Sequence, residues 1–227
     1  MKYQAVIFDL FGTLVPNLAL VENESTLRRM ASVLSVSPDD FARLWTDTYD
    51  ARMNGVFHGY QATIEYICQQ IGGTLADSQI ELAAQIRFDV TKREITSPRA
   101  DAIEVLSYLK SKGYKTGLIS NCSADAIAVW KDAPLAPFID VVVFSCSVGL
   151  MKPDPRIYQL AVEQLVVKPE NCLYIADGIG QELKGASQVG MHPVLIRVHD
   201  EDSDDPYREE WHGPTISSLK DVLTLVE

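Results

Sequence analysis

Several things are scarce in this sequence, and each scarcity excludes something. Its four cysteines, Cys68, Cys122, Cys146 and Cys172, include no Cys-x-x-Cys pair. That argues against a disulfide framework and fits a reducing cytoplasm. No apolar run approaches the roughly 18 residues a membrane span needs. The opening stretch MKYQAVIF is too short for a signal peptide and runs on as a strand pattern. Positive charge is also short: 20 Lys and Arg face 31 Asp and Glu, a formal net charge of −11. With no basic stripe to offset that excess, nucleic acid and anionic membranes are disfavoured as partners. A small anionic substrate is not, because a local site can be positive on a negative protein. A cytoplasmic protein acting on a small molecule is the expectation.

With 227 residues there is room for one large domain or for a domain with an insert. The 47% apolar and 22% charged content is that of an ordinary globular protein. Short apolar runs at 3–8, 115–120, 140–145, 171–176 and 192–197 read as strands. Between them, 100–113, 123–132, 154–165 and 180–190 carry helical spacing, with Gly113 placed to cap the first. Continuous apolar strands alternating with amphipathic helices predict an α/β fold, a doubly wound parallel sheet covered on both faces.

Residues 16–95 break that rhythm. Four helix-like segments, at 20–36, 38–55, 60–73 and 77–94, follow one another without a convincing strand. An all-helical insert is predicted there, entered near Val15-Pro16 and left near Thr96-Ser97-Pro98. Residues 1–15 and 96–227 then form the core. The acidic stretch HDEDSDDP (199–206) reads as a solvated turn rather than a metal site.

In open parallel sheets, ligands bind beyond the carboxyl ends of the strands. The strand ends therefore nominate the site: Asp9, then Ser120 and Asn121, then Asp177, with Lys152 in the segment after the strand at 140–145. A strand-end Asp alone is often a turn residue or a helix cap. Two carboxylates, a hydroxyl, an amide and an ammonium converging from four chain segments are harder to reach by accident.

These residues sit in four motifs, FDLFGTLV, LISN, GLMKPDPRIY and YIADGIGQELKGA. In order and placement the four resemble those of the haloacid dehalogenase superfamily of hydrolases, in its phosphatase-like subgroup with a small helical cap. The resemblance implies a Rossmann-like core in which Asp9 is the nucleophile. Ser120 would hold the transferred phosphoryl group, and Lys152 would neutralise both. Mg²⁺ would be held by Asp9, the Phe11 carbonyl and Asp177, with Glu182 ordering a metal-bound water. A carboxylate approaching a phosphate dianion meets charge repulsion, so a cation between them is required. Phe11, Asn121 and Arg52 are further candidates for contact with substrate.

Phe11 departs from the pattern, since the phosphatases resembled carry a second Asp there as general acid and base. Such assistance is worth roughly 10²–10⁴ in rate. Three readings follow. One is a phosphatase for good leaving groups, or one that borrows a proton elsewhere. Another is a metal-free 2-haloacid dehalogenase using Asp9, whose relatives carry Tyr at this position. A third is a non-catalytic phosphate-binding protein. The acidic pair Asp177 and Glu182, and the lack of a clear counterpart to the dehalogenase cap arginine around Arg43 and Arg52, favour the phosphatase.

Other residues have plainer readings. Cys122 has no neighbouring histidine and reads as a small wall residue. His58 sits in a loop of the helical segment, where a specificity contact or simple solvation both fit. GIGQEL lacks the third glycine of a dinucleotide loop and the Gly-Lys-Ser/Thr of a nucleotide P-loop. Trp45, Trp130 and Trp211 read as packing residues.

Overall fold

Strand β1 (Ala5–Phe8) is buried on both faces, as an Ala-Val-Ile-Phe run with no polar alternation requires of a central parallel strand. The computed structural model describes residues 2–17, 20–72, 76–198 and 207–226. The acidic stretch 199–206 lies outside them. Beside β1 lie β2 (Lys115–Ser120) and β4 (Cys172–Ala176). Outward from these are β3 (Val141–Phe144), β5 (His192–Ile196) and β6 (Thr215–Ile216). The six strands run in the order β3-β2-β1-β4-β5-β6, every pairing parallel. This is the predicted α/β Rossmann-like sheet. β6 is an addition, too short at two residues to leave a periodic trace in sequence.

Alternate side chains along each strand enter different cores. Val6 and Phe8 join Leu118, Leu173 and Val194 on one face, under α6 (Ala102–Ser111), α7 (Ala124–Trp130) and α11 (Asp221–Val226). Ala5 and Ile7 join Ile119, Val143 and Tyr174 on the other, under α9 (Pro155–Leu165) and α10 (Glu182–Gln188). A short helix, α8 (Ser145–Val148), leaves β3 directly.

Between β1 and α6 the described elements are all helices: α1 (Leu20–Leu34), α2 (Pro38–Asp47), α3 (Tyr49–Met53), α4 (Tyr60–Ile71) and α5 (Asp77–Thr96). These helices bury a cluster of their own, including Met30, Leu34, Phe41, Trp45, Ile64, Ile67 and Ala83. Residues 38–55, expected as one helix, are two. The Thr48 hydroxyl donates to the carbonyls of Leu44 at 2.8 Å and Trp45 at 3.0 Å. The Arg52 guanidinium also donates to the Trp45 carbonyl. Side chains thus satisfy the acceptors at the α2–α3 junction. Trp45 and Trp130 are buried, and Trp211 packs half-buried with its indole N–H on the Pro214 carbonyl, 3.1 Å away. No helix among the described residues is long and apolar enough to cross a membrane.

Candidate active site

The carboxyl ends of β1 and β4 lie side by side, and each is followed at once by an aspartate. Asp9 extends β1 and donates its backbone N–H to the Ile175 carbonyl at 2.9 Å. Asp177 follows β4, and Glu182 opens α10. One carboxylate oxygen from each of these three lies within 4.8 Å of the others. All three are buried, Asp9 at 5%, Asp177 at 3% and Glu182 at 1% exposure.

Lys152 inserts into this group. Its ammonium pairs with Asp9 and, at 2.5 Å, with Glu182 Oε2. One cation among three carboxylates leaves an excess of buried negative charge. Burial raises Asp9 to about 6, against the pull of Lys152, with Glu182 pushing the same way as burial. Burial raises Glu182 to about 7, again opposed by Lys152. Burial and then the charge of Asp9 raise Asp177. Desolvation alone would lower Lys152, yet Asp9 and Glu182 outweigh it and hold the ammonium charged. Oxygen donors with surplus negative charge are what a hard divalent cation needs, so the residues fit one.

Each acid is held by neighbours that the strand ends did not nominate. Glu182 accepts from the Tyr174 hydroxyl at 2.8 Å and the Gly178 N–H at 3.1 Å. Its helix is secured by Glu209, whose carboxylate accepts from the N–H groups of Leu183 at 2.7 Å and Lys184 at 3.3 Å. Asp177 accepts from the Asn17 amide at 2.9 Å and the Ile179 N–H at 3.1 Å. Arg99 donates to the carbonyls of Gly12 and Thr13, both at 2.8 Å, and so fixes the loop after Asp9. Gly12, at φ +79°, packs so closely that a Cβ would lie 2.7 Å from the Asp177 carboxyl carbon.

The other nominated residues divide. Ser120 Oγ is buried at the end of β2 and makes no hydrogen bond. Asn121 is committed to the backbone of Lys152, accepting from its N–H at 2.9 Å and donating to its carbonyl at 3.2 Å. Phe11 is half-buried against the core on the β1 side and offers no proton. Arg52 is 5% exposed, bonded to Thr48 Oγ1 at 2.6 Å, and stacked 4.3 Å over Trp45. Those contacts stay within the helical segment. His58 is exposed on the α3–α4 loop. Arg43 faces Asp40 and Asp47 on the surface, 3.4 Å from each.

Tyr49, at the start of α3, was not nominated. It feels the charges of Lys152, Arg52 and Asp9, and burial raises its phenol. Nearly half of the residue is nonetheless exposed, at 45%. The Asp9 side chain retains 7% exposure. A surface cavity of about 470 Å³, lined by Lys110, Lys115, Asp140 and Val166, opens on the opposite edge of the sheet and touches none of these groups.

Residues 3–190 match the family described as haloacid dehalogenase-like hydrolase. A glyceraldehyde 3-phosphate phosphatase of Methanopyrus kandleri is 28% identical over 201 residues, which is 86% of this chain and 84% of that protein. Among solved structures, a haloacid dehalogenase-superfamily phosphatase from Thermococcus onnurineus superposes with a TM-score of 0.69 at 20% identity, covering 98% of this chain and 97% of that one. A dehalogenase superposes with a TM-score of 0.65 at 24% identity, covering 99% and 97%. At such identities the two structures speak for the fold alone.

Proposed function

Because the chain belongs to the haloacid dehalogenase-like hydrolases, we propose that it is a magnesium-dependent cytoplasmic phosphatase acting on a small phosphorylated metabolite. The observation that carries this reading is the buried set of Asp9, Asp177 and Glu182, of which Asp9 and Glu182 pair with a single lysine. A dehalogenase needs no such surplus of acid, because halide leaves as an anion without a metal. Asp9, the Phe11 carbonyl, Asp177 and Glu182 would hold Mg²⁺. When bound, the ion would offset the repulsion between the carboxylate and the phosphate.

The chain's own residues supply the rest. Asp9, ionised above about pH 6, attacks phosphorus as a nucleophile, and the bond to the leaving oxygen breaks. Lys152 holds Asp9 in place and balances charge on the phosphoryl oxygens. Ser120 Oγ, unpartnered in its buried position, donates to one of those oxygens. Water then hydrolyses the aspartyl-phosphate and restores Asp9. Phe11 protonates nothing, so the chemistry favours aryl phosphates, acyl phosphates and other esters whose leaving group departs without help. Residues 16–95 act as a cap, and their helices move aside to admit substrate. Tyr49 is the cap residue proposed to meet it, and Arg52, turned inward on Thr48 and Trp45, would support the segment that carries Tyr49. The name of the archaeal relative makes triose phosphates the first natural esters to try.

The test is phosphate release from p-nitrophenyl phosphate and a panel of small phosphate esters, with Mg²⁺ and with a chelator. Release that requires Mg²⁺ and disappears in Asp9→Asn is expected. Chloride release from 2-chloropropionate in the chelator would overturn this reading in favour of the dehalogenase.

A further inference from the structure

Two cysteines follow the ends of the adjacent strands β2 and β3. Ser120 of β2 pairs in parallel register with Phe144 of β3, and Cys122 and Cys146 each come two residues later, Cys146 in the first turn of α8. The Ser145 hydroxyl joins the two turns, accepting from the Cys122 N–H at 3.0 Å and donating to the Met53 carbonyl at 2.7 Å. Both side chains belong to one apolar cluster, Cys122 within it and Cys146 packed against it.

The members of the pair differ. Cys122 is 3% exposed, whereas Cys146 is half-buried and reachable from solvent. Burial pushes the Cys122 thiol well up from its ordinary value, while the neighbouring Cys122 thiol draws the Cys146 thiol down. That is the asymmetry of an attacking thiolate beside a resolving thiol. The remaining cysteines are elsewhere: Cys68 packs inside the helical segment and Cys172 begins β4.

We propose that Cys122 and Cys146 form a modification site, a dithiol that a peroxide oxidises to a disulfide. The Cys146 thiolate attacks one peroxide oxygen and the O–O bond breaks. Cys146 becomes a sulfenic acid, and the departing oxygen leaves as water after taking a proton. The Cys122 sulfur then attacks the Cys146 sulfur. The S–S bond forms, the S–O bond breaks, and the Cys122 proton leaves with the hydroxyl as a second water. The two thiols lose two electrons and the peroxide gains them. In a reducing cytoplasm such a bond is transient, the form in which mesophilic intracellular disulfides ordinarily occur. It would close next to Asn121, whose amide holds Lys152.

The site is tested by counting thiols rather than turnover, so its outcome is independent of the phosphatase reading. The full chain, free of reductant, is treated with hydrogen peroxide at neutral pH and its peptides are mapped by mass spectrometry. Two of the four cysteines are expected to be lost as one Cys122–Cys146 cross-link and recovered with dithiothreitol. Cys122→Ser is expected to stop at a Cys146 sulfenic acid that a 1,3-diketone traps, and Cys146→Ser to leave its three cysteines as thiols. A different pairing, a link between two chains, no thiol loss, or wild-type oxidation that halts on Cys146 overturns the proposal. The wild-type map decides even where a variant fails to fold.

Discussion

Asn121 and Lys152 hold one another through a two-point contact, the side-chain amide of one against the backbone N–H and carbonyl of the other at 2.9 and 3.2 Å. The asparagine at the end of β2 therefore positions the lysine that reaches Asp9 and Glu182. A backbone pinned at both its donor and its acceptor cannot drift without losing two bonds, and the ammonium inherits that precision.

Asn121→Ala removes both bonds and leaves Lys152 free to shift. Misplacement of about 1 Å in a charge at the reacting centre costs on the order of 10²-fold. The expected result is a fall in kcat for p-nitrophenyl phosphate of that order, with KM little changed. A loss confined to KM would make Asn121 a substrate contact instead.

Phe11→Asp places a carboxyl where the family resemblance implies an acid. Turnover of alkyl phosphates is expected to rise by at least about tenfold, and that of aryl phosphates by less, because only the poor leaving group needs the proton. Phe11 is half-buried against the core, so a lower melting temperature accompanies the change. Equal gains on both substrates would rule out proton donation as the cause.

Gly12→Ala meets two obstacles at once, a backbone at φ +79° and the carboxyl of Asp177. Positive φ alone costs a non-glycine residue about 1–2 kcal/mol. The collision also pushes aside an oxygen proposed for Mg²⁺. Mg²⁺ is expected to raise the melting temperature of the wild type, and the variant to melt lower and to lose that rise. Retention of that rise would separate Asp177 from metal binding.

Asp140 concerns stability and lies away from the site. Its carboxylate accepts from the Thr116 N–H at 2.9 Å and hydroxyl at 3.1 Å, and pairs with Lys110. Partial burial works to raise its pKa, but the bonds from Lys110 and Thr116 win and lower it below 3.8. A depressed folded value means stability that is present above the unfolded value and lost as pH falls through the folded one. Because the side chain is 38% exposed, solvent screening reduces its worth. Asp140→Asn is expected to cost about 1 kcal/mol at pH 7. Urea midpoints of the two proteins should converge as pH falls through the lowered range in which folded Asp140 takes up its proton. A gap that persists there would assign the loss to packing.

Much of the candidate site was legible because it rests on one rule of topology. Asp9, Ser120 and Asp177 are strand-end residues, and in a parallel sheet strand ends share an edge whatever the strand order. Lys152 followed from lying just past β3. What could not be read depends on contacts that leave no local trace. Arg99 reaches the Gly12 carbonyl across 87 positions, Tyr174 points its hydroxyl at Glu182 from within a strand, and Glu209 caps a helix from 26 residues downstream of Leu183. Asn121 showed its type and place but not its task, since an amide serves a ligand or a backbone equally well.

Periodicity and order along the chain, then, settled the parallel sheet, the run of helices between β1 and α6, and the identity of the groups at the sheet's edge. These follow from local rules, hydrophobic alternation and the alignment of strand ends, which act over a few residues. Tertiary structure alone decided that one lysine would pair with two of three clustered carboxylates, and that Arg52 would turn inward over Trp45. It also set the turns that carry two cysteines 24 positions apart against one another, through Ser145. Burial and charge balance are properties of the space around a side chain, and that space is assembled from distant segments.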